Sequence, residues 1–124
     1  MGFFDKKAEQ LAIKHIANLT GQEVSPRVCV PCESSIVPRW RGYCVLTDDS
    51  LYLVNKTGAR GIAFTGISRT SVWGQYSTGT NGYPNYRFMF LFNFDNGSFT
   101  VYSTTEDGGK QLETFLNKVY PDSN

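Results

Sequence analysis

Tyr86-Arg87-Phe88-Met89-Phe90-Leu91-Phe92-Asn93-Phe94-Asp95-Asn96-Gly97-Ser98-Phe99-Thr100-Val101-Tyr102 is the stretch whose reading decides the fold. An aromatic ring recurs at every second position from Tyr86 to Phe94, which is the period of a strand with one buried face. Asn96-Gly97 is a favoured pair for the centre of a tight hairpin turn, because both centres need positive φ. A turn centred there pairs Phe94 with Phe99 and Phe92 with Val101 on an inner face. It pairs Asp95 with Ser98 and Asn93 with Thr100 on an outer one. A slip of one residue inverts that sorting, so the pattern predicts a hairpin with its phenylalanines in a core.

Upstream, Tyr43-Cys44-Val45-Leu46-Thr47 and Ser50-Leu51-Tyr52-Leu53-Val54 flank Asp48-Asp49, a second predicted hairpin. Its register sets Leu46 against Leu51 and Cys44 against Leu53, with Tyr43, Val45, Tyr52 and Val54 on the other face. Both faces are apolar, which predicts cover on both sides. Arg60 to Phe64 and Ile67 to Tyr76 read as further strands, separated from the aromatic hairpin by the polar loop Ser77 to Asn85. Arg27 to Glu33 is the best first strand, and Pro26, Pro31 and Pro38 predict that it lies at an edge. Two helices complete the pattern. Residues 5–20 carry Ala8, Leu11, Ala12, Ile16 and Leu19 at helical spacing, with Asp5 as cap and Gly21 as stop. Leu112, Phe115, Leu116, Val119 and Tyr120 mark the second, with Thr104 as expected cap and Gly108-Gly109 weakening its first turn.

The chain of 124 residues suits one core, and nine Phe, seven Tyr and two Trp suit sheets. A net charge of +1 demands neither nucleic acid nor an anionic surface. Residues 1–69 carry nine Lys/Arg against six Asp/Glu, a mild basic bias. Without a signal-peptide core or an apolar run of membrane-spanning length, and with an odd count of three cysteines, a cytoplasmic protein is expected.

At this point the order of elements resembles GRAM-like and bacterial pleckstrin-homology-like domains. Gly42-Tyr43-Cys44-Val45-Leu46-Thr47-Asp48-Asp49-Ser50-Leu51-Tyr52-Leu53-Val54 is similar to that family's second and third strands. Thr65-Gly66-Ile67-Ser68 resembles its Asp-Ile-Ser segment, with Gly66 in place of the acid. The resemblance covers about residues 24–120. It implies an α+β, mostly β fold, a partly open antiparallel barrel of about seven strands capped by a C-terminal helix. Residues 1–22 then form an extra N-terminal amphipathic helix and residues 23–121 the barrel domain. It also implies binding to phosphoinositides, other membrane lipids, peptides or protein partners, and no catalysis.

Lipid-binding members carry a basic residue in strand one and a basic-x-Arg triplet entering strand two; Arg27, Arg39 and Arg41 match that spacing. Convergent guanidinium groups at a loop mouth suit a multiply charged headgroup. The alternative is three solvated loop arginines with Trp40 tucked under the barrel. With Trp40, Tyr76 and Tyr83, these arginines are the candidate ligand-binding residues. Other chemistry is thin. Cys29-Val30-Pro31-Cys32 with Cys44 and His15 offers one pair of zinc ligands where strong signatures have two, so no metal and no cofactor are expected. His15 has no nucleophile or carboxylate at a productive spacing, and no enzyme is expected. Trp40, Trp73, Tyr76, Tyr83 and Tyr86 with Arg39, Arg41, Arg69 and Arg87 could stack on single-stranded nucleic acid, but they are scattered. The expected function is a non-enzymatic adaptor recognising a protein partner or an anionic membrane lipid, with no small-molecule substrate. Homo-oligomeric assembly through the N-terminal helix or strand edges is the alternative, and nucleic-acid binding is disfavoured.

Overall fold

Period-two apolar stretches joined by short turns leave the chain one economical arrangement, successive antiparallel pairing. The computed structural model describes residues 6–77 and 86–120, with side chains at 6–67 and 89–120. After helix α1 (Lys6–Thr20) come β1 (Val28–Ser34), β2 (Trp40–Leu46), β3 (Ser50–Asn55), β4 (Gly58–Ala63), β5 (Ser68–Ser77), β6 (Tyr86–Phe94) and β7 (Gly97–Ser103), then helix α2 (Glu106–Val119). A single 3-10 turn, Phe64–Gly66, links β4 to β5. The antiparallel sheet runs β4-β3-β2-β1-β7-β6-β5 and curls into a half-barrel, an α+β fold that is mostly β. No helix among the described residues is long and apolar enough to cross a membrane.

The β2–β3 hairpin has the predicted register: Leu46 faces Leu51, Cys44 faces Leu53 and Val45 faces Tyr52. Thr47 fixes its turn by accepting from Ser50 N at 3.2 Å and donating to Asp49 Oδ1 at 3.2 Å. Both faces are covered, as the composition of this hairpin predicts. Leu46, Leu51 and Leu53 join Phe90, Phe92, Phe99 and Val101 inside the half-barrel, under Leu112 and Leu116 of α2. Val45, Tyr52 and Val54, with Cys29 of β1, lie against Ala8, Ala12 and Ile16 of α1. The N-terminal helix therefore rests on its own sheet. Leu19 is 51% exposed, since it lies one turn beyond Ile16 and past that patch.

Four expectations need correction. In the aromatic hairpin Phe92 faces Phe99, Phe90 faces Val101 and Phe94 faces Gly97, so the turn is Asp95-Asn96 rather than Asn96-Gly97. Arg39 is the only positive-φ residue other than glycine among the described residues, so both turn centres keep negative φ. Gly97 takes the left-handed conformation at φ 156° instead. The shift is two residues, so the inner and outer faces survive and Phe92 stacks on Phe99 with centroids 5.3 Å apart.

β1 is central, between β2 and β7, and not an edge. Pro31 is tolerated because the β1–β7 ladder covers only Cys32 to Ser34. The Pro31 carbonyl accepts from Thr104 N at 3.4 Å on the β7 side, and that is the side on which a backbone N–H is missing.

The cap of α2 is Thr105 rather than Thr104, its hydroxyl accepting from Gly108 N at 3.0 Å. Gly108 and Gly109 belong to the helix and are buried rather than fraying it. A Cβ at Gly108 would lie 2.8 Å from Thr105 Oγ1, 3.0 Å from Ser103 Oγ and 3.2 Å from Val30 Cβ, so glycine is what lets α2 approach the sheet.

Candidate functional site

Antiparallel strands alternate direction, so the half-barrel has two distinct ends. The turn at Asp48-Asp49 and helix α2 mark one end. The β1–β2 loop, the β3–β4 turn and the β6–β7 turn gather at the other, which is open. Arg27 precedes β1 at the α2 end, whereas Arg39 and Arg41 flank Trp40 at the start of β2, at the open end. The length of β1 separates them, roughly 20 Å at a rise of about 3.3 Å per residue. The structure does not bring the three arginines together.

Each has its own setting. Arg27 donates Nε to Asp48 Oδ1 at 2.8 Å and Nη2 to Asp48 Oδ2 at 3.1 Å, tying the start of β1 to the β2–β3 turn. That hydrogen bond holds the Asp48 carboxyl below the usual carboxylate range and raises the Arg27 guanidinium. Arg41 faces outward across from Glu33, Nη2 to Oε2 at 3.4 Å, with 79% of its side chain exposed. Arg39 has φ 60° and stands at the third position of a turn in which Trp40 N donates to Val37 O at 3.2 Å. Pro38 presets the second position of that turn, and the third requires positive φ, where glycine or asparagine is usual. A side chain there costs about 1 kcal/mol. Trp40, expected at a ligand surface, is instead part of the core at 8% exposure. Tyr83 lies outside the described residues, as does the side chain of Tyr76.

The groove that does gather cations sits on the outer face of the open end. Lys7 of α1, Arg41 of β2 and Lys56 of the β3–β4 turn line a groove of about 410 Å3 floored by Ala8, Leu11 and Tyr43. Local chemistry places each one. Lys7 lies on α1 one turn before Leu11, on the side of the helix that meets β2 and the β3–β4 turn. Lys56 is held out by an Asx turn in which Asn55 Oδ1 accepts from Thr57 N at 2.9 Å and Thr57 Oγ1 at 2.6 Å. Gly58, at φ 148°, closes that turn. Arg41 also borders a neighbouring depression shared with Arg39, Glu33 and Tyr102. Lys7 and Lys56 were absent from the sequence-based site, because only the docking of α1 on β2 and β3 brings them to Arg41.

No protein-family model matches this chain, and no curated protein matches it as a relative.

The cysteines separate for a strand reason. Positions three apart on β1 point to opposite faces, so Cys29 meets α1 while Cys32 and Cys44 face the interior. Among the described residues no three His, Cys, Asp or Glu side chains cluster as metal ligands. Burial raises both inward thiols well above their ordinary value, Cys32 further so beside Cys44, which makes them poor nucleophiles. His15 stands on α1, outside any such cluster.

Proposed function

We propose that this protein is a non-enzymatic binding module that recognises an anionic group, the headgroup of an acidic membrane lipid, at the open end of its half-barrel. The observation that carries the reading is the convergence of Lys7, Arg41 and Lys56 from three different elements on one groove. A phosphate-bearing headgroup gains from several positive donors. The apolar floor of Leu11, Ala8 and Tyr43 suits the less polar part of such a ligand. Arg39 supports the reading independently, because a guanidinium occupies a turn position where glycine would cost less. The finer fold proposal is a seven-stranded pleckstrin-homology/GRAM-like barrel; its support is the consecutive antiparallel order with a closing helix.

Sedimentation with vesicles tests the function. Vesicles containing phosphatidylserine or a phosphoinositide should retain the protein at low salt, release it as salt rises, and lose it with Arg41→Ala plus Lys56→Ala. Equal retention on pure phosphatidylcholine, or retention on neither, overturns the reading. Assembly through α1 is less well supported, because the buried stripe Ala8, Ala12 and Ile16 already faces the protein's own sheet. Nucleic-acid stacking loses Trp40 to the core.

A further inference from the structure

We propose that the open edge of β4, with Arg60 and the apolar cleft beside it, takes up an extended acidic and apolar peptide as an added strand.

β4 ends the sheet order, so Gly58–Ala63 pairs with β3 along one side, while among the described residues no strand pairs with its other side. Such an edge is a template for main-chain pairing. The edge itself carries little side-chain bulk, since Gly58, Ala59, Gly61 and Ala63 are small, and α1 lies over its outer face beside Ala59. The Tyr52 ring lies over Gly61 on the outer face, where an added Cβ would collide with it. The outer side of this edge is thus already covered, and selectivity falls to the inner side.

On the inner side β4 presents two residues. Arg60 stands opposite Leu53 and Ile62 opposite Leu51. Both line a cleft of about 370 Å3 whose far wall is Phe94 and Phe99. A strand laid along β4 would place every second side chain on this face. One would reach the cleft beside Ile62 and the next, two positions away, would meet the exposed Arg60 guanidinium. Apolar walls and a single cation at that spacing call for an apolar residue and a carboxylate separated by one residue.

Charge also selects against a second copy of this chain. Arg60 is the only charged residue of β4, so antiparallel β4–β4 pairing brings two guanidinium groups onto one face with no acid between them. Repulsion disfavours that assembly and leaves the acidic peptide as the matching partner.

The test is selection of random linear peptides displayed on phage against the full-length protein. Enrichment of sequences with an acidic and an apolar residue two positions apart is expected. A synthetic peptide of an enriched sequence should bind about fivefold more weakly to Arg60→Ala, the loss typical of an exposed charge pair. Selection against Arg60→Glu should replace the acid by Lys or Arg. Binding should slow amide exchange across Gly58–Ala63 and be indifferent to Arg41→Ala plus Lys56→Ala, which separates this surface from the anion groove. No enriched family overturns the proposal. So do enriched peptides that bind Arg60→Glu equally well, or that leave the β4 amides unprotected.

Discussion

Arg27 and Asp48 form a two-pronged ion pair, at 2.8 and 3.1 Å, at the end of the half-barrel remote from Arg39 and Arg41. The pair joins the start of β1 to the β2–β3 turn, a strand's length from the groove that holds Arg41. Arg27→Ala should therefore leave retention on anionic vesicles unchanged. Arg41→Ala and Lys56→Ala each remove a cation from the groove, worth about 1 kcal/mol near an anionic surface. Together they should weaken binding about thirtyfold in the same sedimentation assay.

Arg39 predicts a trade between stability and binding. Arg39→Gly relieves the left-handed conformation at φ 60° and should raise unfolding free energy by about 1 kcal/mol in urea. The same change removes a guanidinium from the open end and should reduce anionic-vesicle retention. Lower stability in Arg39→Gly would contradict this account of the turn.

Tyr120 donates its hydroxyl to Phe64 O at 2.8 Å, and burial raises its pKa from 10.0 to about 12. The folded protein thus keeps the proton where the unfolded chain has released it. The contribution of Tyr120 is fully present below pH 10.0 and should be lost as pH rises from there to about 12. The buried thiols of Cys32 and Cys44, raised from 9.0, act in the same direction and start the fall earlier. Urea titrations at successive alkaline pH values check this. Tyr120→Phe should flatten the upper part of the curve while costing about 1 kcal/mol at neutral pH for the lost hydrogen bond.

Gly108→Ala sets two effects against each other. Alanine favours a helix over glycine by about 1 kcal/mol. At this position its Cβ would meet the hydroxyl that caps α2 at 2.8 Å and the Val30 Cβ at 3.2 Å. Overpacking of that kind costs about 1–3 kcal/mol, so the net change should be destabilising, measured as a lower urea midpoint.

How much was legible differs between the two hairpins. Around Asp48-Asp49 both strands are apolar on both faces and the turn is unambiguous, so the register could be read to the residue. Around Asn96-Gly97 the alternation identified the buried face but not the register. A two-residue shift returns every side chain to the same face, so periodicity cannot resolve it. Pro31 misplaced β1 at an edge, because a proline is excluded only where the neighbouring ladder needs its N–H, and the β7 ladder begins one residue later. At the site, Arg27, Arg39 and Arg41 match a spacing along the chain. Yet in an antiparallel pair the start of β1 and the start of β2 lie at opposite ends, which separates Arg27 from the others. Lys7 and Lys56 were out of reach, because their approach to Arg41 depends on where α1 docks.

The measurement that bears most directly on the anion groove is an amide-resolved NMR titration of the full-length protein with inositol hexakisphosphate at low and high salt. The groove predicts shifts centred on Lys7, Arg41, Tyr43 and Lys56 that fade as salt rises. Shifts centred on Arg27 and Asp48, or none at any residue, would contradict it.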